Sequence, residues 1–140
     1  MKTYLLDTNV ALRFLLADDP QQSPKAKALF ALAEAGKIRL RISHIGVAEL
    51  VWVLHSFFNF ERAQIATTLR GLLLHDGVEV DGLDTMLGAL DHFGRIKVDF
   101  PDCYLATLSA NSNSALVSYD RDFRKFSDVT CVTPDELLKP

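Results

Sequence analysis

The chain places acidic side chains beside secondary-structure elements where they could hold a metal ion. Asp7 directly follows the first predicted strand, Asp120 follows the fourth, and Glu49 and Asp102 lie in two predicted helices. Because ligands bind at the carboxyl ends of strands in an open parallel sheet, we expect Asp7 and Asp120 at the same edge. Clustered carboxylates repel one another unless a cation gathers them. Oxygen ligands suit the hard ions Mg²⁺ and Mn²⁺, so this pattern favours an acidic site for a divalent ion.

The same acids have structural explanations. An Asp between a strand and a helix is a common N-cap, which applies to Asp7 and to Asp120. Asp99 and Asp102 stand three residues apart at a predicted helix start, where both carboxylates would favour the helix dipole. The residues alone leave both roles open at these positions.

Glu49 lies in a predicted helix that is otherwise rich in apolar residues. Ile45 and Val53 stand one turn before and one turn after it, on the same helical face, and no Lys or Arg lies within one turn. A carboxylate in apolar surroundings must be paired, protonated or bound to a cation, because an isolated buried charge is costly. We therefore expect Glu49 to have a specific partner.

Short β-prone segments alternate with helical ones along the chain. The predicted strands are 3–6, 38–42, 78–80, 115–118 and 129–132, and the predicted helices begin near residues 10, 23, 44, 61, 83, 99 and 133. This alternation favours a mostly parallel sheet with helices on both faces. Ser23 followed by Pro24 predicts the N-cap of the second helix, and Thr133 with Glu136 predicts a capping box for the last. We predict one α/β domain spanning residues 1–140.

Composition narrows the class of protein. Of 140 residues, 49% are hydrophobic and 24% are charged, which is typical of a globular domain. The net charge of −3 argues weakly against nucleic-acid binding through a broad basic surface, but an acidic pocket with cations at its rim is compatible with it. The longest apolar stretch, 45–54, is far shorter than the ~20 residues that span a bilayer, and the start of the chain does not resemble a signal peptide. We expect a soluble cytoplasmic protein with no membrane association.

Histidine and cysteine spacings point away from zinc and from redox chemistry. Cys103 and Cys131 match no metal-ligand or redox pattern, so we predict free, buried thiols. The histidines show no ligand spacing and are predicted not to be catalytic: His44, His55, His75 and His92.

Four short motifs, in this order, resemble those of the PIN-domain family. They are Leu6-Asp7-Thr8-Asn9-Val10, Val47-Ala48-Glu49-Leu50, Asp99-Phe100-Pro101-Asp102 and Ser118-Tyr119-Asp120-Arg121-Asp122-Phe123. Each motif alone is weakly specific, but four in the right order and spacing form a specific pattern. The chain departs from the family at Pro101, which replaces a small residue, and at Cys103, where Ala is common. Neither departure removes an acid, although both bear on the shape of the pocket.

The resemblance implies a PIN-like three-layer sandwich with a central, mostly parallel five-stranded sheet flanked by helices. It implies hydrolysis of RNA phosphodiester bonds with one or two divalent ions, Mg²⁺ or Mn²⁺. The catalytic and metal-binding acids would be Asp7, Glu49, Asp102 and Asp120. The accessory residues would be Asn9, Asp99, Ser118 and Asp122. The cations nearest the acidic motifs, two or three of which would hold the RNA backbone, are Arg13, Arg95, Lys97, Arg121 and Lys125.

Within the family, the chain is similar to the VapC toxins of bacterial toxin–antitoxin pairs. That similarity implies a homodimer and a cognate antitoxin protein that packs near the active site. The segment from Val51 to Phe60 carries four aromatic residues: Trp52, Phe57, Phe58 and Phe60. Because exposed aromatic clusters often mark interfaces, we predict that part of this cluster receives an antitoxin helix. Burial of all four in the core is the alternative.

Three other classes of protein are alternatives. A haloacid-type phosphatase needs a second Asp two residues after the first, where this chain has Asn9. A receiver domain needs adjacent acids after the first strand and a phosphoacceptor Asp after the third; here Asp7 stands alone and Asp81 follows the third strand without a matching context. A non-catalytic PIN-like module that binds RNA or protein is disfavoured because all four acids are present.

Overall fold

The structure is a computed structural model that describes all of residues 1–140. Its backbone forms two compact units, Met1–Leu83 and Asp84–Pro140. The N-terminal unit contains β1 (Lys2–Leu5), α1 (Thr8–Leu16), α2 (Gln22–Glu34), β2 (Ile38–Arg41), α3 (His44–Ser56), α4 (Arg62–Leu73) and β3 (Val78–Glu79). The C-terminal unit contains α5 (Leu83–Arg95, which begins at the boundary), α6 (Phe100–Ser112), β4 (Leu116–Val117), a 3₁₀ helix (Arg121–Lys125), β5 (Cys131–Val132) and α7 (Pro134–Leu137).

Three parallel strands form the sheet of the N-terminal unit, in the order β1-β2-β3. Lys2 lies opposite Ile38, and Leu40 lies opposite Val78. Gly77 begins the return into β3 with a φ of +86°, and a Cβ at this position would lie 2.3 Å from the backbone oxygen of Ala33. This position therefore requires glycine, both for its left-handed backbone and for its close approach to α2.

The central strand β2 has one apolar and one charged face. Leu40 is buried, as is Ile42 just beyond the strand, whereas Arg39 and Arg41 are exposed. Both arginines donate hydrogen bonds to the carboxylate of Glu79, at 2.7 and 3.3 Å respectively. The hydrogen bond from Arg39, which has the larger effect, and the one from Arg41 hold the pKa of Glu79 below its usual value. The two arginines therefore lie on the same, solvent-facing side of the strand.

The connection between α1 and α2 is stabilised by Asp19. Its Oδ1 accepts hydrogen bonds from the backbone N–H groups of Gln22 and Gln21, at 2.7 and 2.9 Å, which lower the pKa of Asp19. The predicted N-cap at Ser23 is therefore wrong. Ser23 lies inside the first turn, where its Oγ accepts from the N–H of Asp19 at 3.1 Å. Helix α2 instead begins at Gln22 with Gln21 as its N-cap residue, and Asp19 accepts from the N–H groups of these two residues.

The C-terminal unit is built around the close approach of α5 and α6. A Cβ at Gly88 would lie 2.7 Å from Cγ2 of Thr107, so only glycine permits this spacing without movement of Thr107. The Thr107 hydroxyl donates to the carbonyl of Cys103 at 2.7 Å, and its oxygen lies 2.8 Å from Nδ1 of His92. The ring of Phe126 meets the His92 ring edge-on at 5.2 Å. The loop after β4 is thereby packed onto the helix pair.

The predicted α/β class with parallel strand pairing is confirmed. All five predicted strands form, but in a three-stranded and a two-stranded sheet rather than in one five-stranded sheet. β3, β4 and β5 each contribute only two residues to a ladder, and the pattern of such short strands does not specify their neighbours. The single domain of residues 1–140 stays a prediction.

Three smaller predictions are decided by burial and length. None of the helices combines the length and hydropathy of a membrane-spanning segment. Cys103 forms no disulfide and is buried, as predicted, whereas Cys131 forms no disulfide but is only half-buried. Of the capping box predicted for α7, the N-cap half is confirmed, since the Thr133 hydroxyl accepts from the N–H of Glu136 at 3.3 Å. The Glu136 carboxylate accepts from the Thr133 hydroxyl at 3.4 Å rather than from the Thr133 N–H.

Candidate acidic active site

Asp7 connects β1 to α1 and is the N-cap residue of that helix. Its backbone is extended, and its carbonyl accepts hydrogen bonds from the N–H groups of Val10 and Ala11 at 3.1 and 3.3 Å. Its carboxylate is exposed and makes no capping hydrogen bond. Capping through the backbone therefore explains the position of Asp7, but the helix makes no use of its charge.

Thr8 and Glu49 join the beginning of α1 to the middle of α3. The Thr8 hydroxyl donates a hydrogen bond to Oε2 of Glu49 at 3.0 Å, across two helices that pack against each other. Because Thr8 follows Asp7 directly in the chain, this hydrogen bond ties Glu49 to the acidic end of β1. The specific partner expected for Glu49 is thus a neutral hydroxyl.

The apolar surroundings predicted for Glu49 are wrong. Glu49 is exposed, Ile45 is 74% exposed and Val53 is half-buried. The buried face of α3 is formed instead by Gly46, Val47, Leu50, Val51 and Leu54. Since this helix carries apolar residues on all sides, apolar neighbours one turn away from Glu49 did not indicate burial. The inference that an isolated carboxylate would be buried there fails for that reason.

Asp102 is the second acid of the third motif, and its surroundings perturb its carboxyl group. It lies in the first turn of α6 and is half-buried. Burial, followed by the negative charges of Asp120, Asp99 and Asp122, raises its pKa above the ordinary value. The C-terminal unit therefore brings together four acids named from the sequence, and burial and their mutual repulsion both disfavour the charged form of Asp102.

Asp120 is held in place on both sides by short-range hydrogen bonds. Its N–H donates to Oγ of Ser118 at 2.9 Å, and its own Oδ1 accepts from the N–H of Asp122 at 2.9 Å, at the start of the 3₁₀ helix. The capping role considered for Asp120 is therefore real and involves one carboxylate oxygen. The second oxygen is not needed for that cap.

The accessory residues differ in the hydrogen bonds and ion pairs that their side chains make. Asp99 is the backbone N-cap of α6, and its carboxylate makes no capping hydrogen bond. The carboxylate of Asp122 pairs with Lys125 at 3.1 Å. Asn9 is exposed in the first turn of α1. Asp99 and Asp122 therefore add negative charge near Asp102, and Lys125 partly offsets it.

The acids form two sets, one in each unit. In the C-terminal unit the charges of the other three acids act on Asp102, and in the N-terminal unit Glu49 is bound to Thr8. No three His, Cys, Asp or Glu side chains of the structure are grouped closely enough to hold a metal ion. The four-residue ligand set of Asp7, Glu49, Asp102 and Asp120 stays a prediction.

The cations expected to bind RNA are in two different situations. Three are in ion pairs: Arg13 with Asp18 at 2.9 Å, Arg95 with Asp91 at 2.7 Å, and Lys125 with Asp122 at 3.1 Å. Lys97 and Arg121 are exposed, and neither takes part in an ion pair. These two have their full charge available for a phosphate.

Comparison with known proteins decides the family. A family model for the PIN domain matches residues 4–129, which include all four acidic motifs. The chain belongs to the PIN-domain family. The resemblance drawn from the sequence motifs is thereby confirmed, and the five strands and flanking helices are those of a PIN domain.

One solved structure is similar to this PIN domain over nearly its whole length. It is the crystal structure of VapBC2 from Rickettsia felis bound to a DNA fragment from their promoter, at 16% sequence identity and a TM-score of 0.38, with 95% of this chain and 98% of that chain covered. The search of curated proteins found no match to this chain. The assignment to the family therefore depends on the family match and the motifs.

Two features of the structure that bear on a functional site were not predicted from the sequence. Thr8 received no role, although its position next to Asp7 was a usable signal. A groove between α1 and α2 contains Gln22 and Lys25, whose three-residue spacing places them on one face of α2. The sequence did not show that this face of α2 lies against α1, so no sequence pattern indicated the groove.

Proposed function

We propose that this PIN domain is a metal-dependent endoribonuclease. The observation that carries the proposal is Asp102, whose pKa is raised by burial and by three neighbouring carboxylates. A fold that gathers four acids in one small unit is destabilised by their repulsion, and such costs are typical of functional sites. A bound divalent cation would remove this cost.

The residues fit a hard divalent ion, Mg²⁺ or Mn²⁺, by the chemistry of their donors. The proposed ligands offer only carboxylate oxygens, since the set contains no histidine: Asp7, Glu49, Asp102 and Asp120. The carboxylate of Asp7 is free of capping bonds, and one oxygen of Asp120 is likewise unused by its cap. These four residues would hold the ion. When bound, the ion would activate a water molecule and stabilise charge on the phosphate.

The chain's own residues have positioning roles in this proposal. Thr8 fixes one oxygen of Glu49 and leaves the other free. Ser118 fixes the backbone at Asp120. Lys97 and Arg121, which are exposed and lie outside the ion pairs, would attract the RNA backbone. Since phosphoryl chemistry depends mainly on positioning and charge, the effect of each residue should appear in the rate of cleavage.

The biological setting proposed is a cytoplasmic toxin of a type II toxin–antitoxin pair, active as a homodimer. Support comes from the similarity of the motifs to VapC toxins and from exposed aromatic side chains. Trp52 is 59% exposed, Phe57 65% and Phe58 40%. Trp52 and Phe57 meet edge-on at 5.2 Å. Phe60 is half-buried, so the antitoxin surface would comprise the other three aromatic residues.

The antitoxin surface is tested by charge substitution. Phe57→Glu and Phe58→Glu should weaken binding of the antitoxin encoded beside this chain, measured by calorimetry, while RNA cleavage by the free protein is retained. Leu32→Glu, which replaces an exposed apolar residue of α2 and adds the same single negative charge, serves as the control. Unchanged antitoxin affinity in both aromatic variants would contradict the assignment of this surface.

The nuclease activity is tested with a labelled single-stranded RNA of mixed sequence. We expect internal cleavage with Mn²⁺, none with chelator, and no hydrolysis of p-nitrophenyl phosphate. RNA binding without cleavage would favour the non-catalytic module instead. Phosphatase activity without RNA cleavage, or RNA cleavage that persists in chelator, would overturn the proposal.

A further inference from the structure

The N-terminal unit contains a groove between α1 and α2 that holds none of the four proposed catalytic acids. Its volume is about 560 Å³, within the range of pockets that take a small ligand. Its wall on α1 is formed by Asn9, Val10 and Arg13, and its wall on α2 by Gln22, Lys25, Ala26 and Leu29. We call these seven residues the α1–α2 groove.

The polar residues of the groove are two cations and two amides. Asp18 holds the Arg13 guanidinium through one terminal nitrogen at 2.9 Å, which fixes its orientation and leaves its other N–H groups for a further acceptor. Lys25 is exposed and takes part in no ion pair. Asn9 and Gln22 are also exposed. The groove therefore offers positive charge together with neutral donors and acceptors.

The floor of the groove is apolar. Ala26 is buried, and Val10 and Leu29 are half-buried. A floor of this kind accepts the flat face of a base, amide side chains recognise base edges, and Arg or Lys holds a phosphate. An acidic peptide would satisfy the cations but would leave both the amides and the apolar floor without matching groups. The combination fits a nucleotide better than a string of carboxylates.

The groove begins beside the proposed catalytic residues. Asn9 follows Asp7 by two residues, and both lie at the N-terminal end of α1. We propose that the α1–α2 groove binds one nucleotide of single-stranded RNA adjoining the bond that is cut, with Lys25 and Arg13 on its phosphate and Gln22 on its base. The inference rests on the proposed ribonuclease function, and it adds a subsite whose Arg13, Gln22 and Lys25 lie outside the acidic motifs.

The experiment measures RNA binding without cleavage. A fluorescein-labelled single-stranded RNA of mixed sequence is titrated with the full chain in chelator, and anisotropy gives the affinity at several salt concentrations. Lys25→Ala should weaken binding about fivefold and reduce the slope of log affinity against log salt by about 0.7, the value for one phosphate contact on a single strand. Gln22→Ala should weaken binding without changing that slope, because an amide carries no charge.

Lys27→Ala is the matched control. Lys27 lies on the same helix, is exposed and does not line the groove, so its removal should leave affinity and salt slope unchanged. Melting curves of all three variants establish that each is folded. Equal behaviour of Lys25→Ala and Lys27→Ala would overturn the subsite, as would displacement of the RNA by an oligoglutamate peptide of equal charge.

The outcomes separate the subsite from the proposed function. If the wild type cleaves RNA with Mn²⁺ but Lys25→Ala binds RNA normally in chelator, the subsite is wrong and the nuclease stands. If Lys25→Ala and Gln22→Ala weaken binding as expected but neither the wild type nor any variant cleaves RNA, the groove is an RNA-binding site and the proposed nuclease activity is wrong. Absence of any RNA binding by the wild type overturns the subsite.

Discussion

The Thr8 hydroxyl donates a hydrogen bond to Oε2 of Glu49 at 3.0 Å and so connects the residue after Asp7 to the acid of α3. Thr8 acts through Glu49 and is a positioning residue. Thr8→Val removes the donor while keeping the shape of the side chain, so we expect kcat for RNA cleavage to fall about tenfold, which corresponds to about 1.4 kcal/mol. Thr8→Ser keeps the hydroxyl and should restore most of the activity. Equal rates for Thr8→Val and the wild type would contradict this role.

Glu49 itself can be tested without disturbing the helix. Glu49→Gln keeps size and helix propensity but removes the charge that would hold the ion. We expect cleavage to fall at least ~10²-fold, about 2.7 kcal/mol or more of transition-state stabilisation, with an unchanged circular dichroism spectrum. Glu61→Gln, an exposed glutamate at the start of α4 whose side chain makes no capping bond, is the control and should cleave normally. Near-normal activity of Glu49→Gln would leave Glu49 with only a structural role.

The raised pKa of Asp102 makes stability depend on pH. Between the ordinary carboxyl value of 3.8 and its raised value, the folded state binds a proton at Asp102 that the unfolded state does not. The free energy of unfolding therefore decreases as pH rises through this window, and the full destabilisation is present above it. Asp102→Asn lacks the charge, so in chelator it should melt higher than the wild type at neutral pH.

The advantage of Asp102→Asn should shrink as pH falls through the window and disappear below 3.8, the ordinary carboxyl value. Asp128→Asn, which changes an exposed aspartate of the same unit, is the control and should follow the wild type. Melting temperatures across the pH range give the comparison. A constant difference between Asp102→Asn and the wild type at all pH values would mean that repulsion does not act on Asp102.

Asp120 combines a capping role with a proposed catalytic role, and two substitutions separate them. Asn retains an oxygen that accepts from the N–H of Asp122, whereas Ala does not. We expect both variants to lose RNA cleavage to the same extent, because both lose the charge. Asp120→Ala should also lose about 1 kcal/mol of unfolding free energy, and Asp120→Asn should lose little or none. Chemical denaturation provides the measurement, and retained cleavage in Asp120→Asn would assign Asp120 to capping alone.

The fold class and the acidic motifs were accessible from the sequence because they depend on local patterns. Alternating strands and helices predicted the α/β class, and Asp7 and Asp120 were predicted correctly at the ends of strands. The predictions that failed depend on how the elements pack and pair, which local patterns do not show. The exposure of Glu49 depends on which side of α3 faces the core, and α3 carries apolar residues on all sides. Helix α2 begins earlier than Ser23-Pro24 indicated, with Gln21 as its N-cap residue and Asp19 accepting from its first N–H groups. The grouping of the strands into two sheets likewise depends on pairing that two-residue ladders do not specify.

The central claim is that the carboxylates named from the sequence bind a divalent ion, and Asp7 offers the cleanest test. Its carboxylate makes no capping bond, so Asp7→Asn removes no hydrogen bond of the helix and should melt close to the wild type in chelator. Melting curves are recorded for both proteins in chelator and with Mn²⁺. An ion that binds only the folded wild type should stabilise it by about 2.7 kcal/mol at a concentration ~100 times its dissociation constant, and this gain should be largely absent in Asp7→Asn, which should also fail to cleave RNA. Equal stabilisation of both proteins by Mn²⁺, or none in either, would contradict the claim.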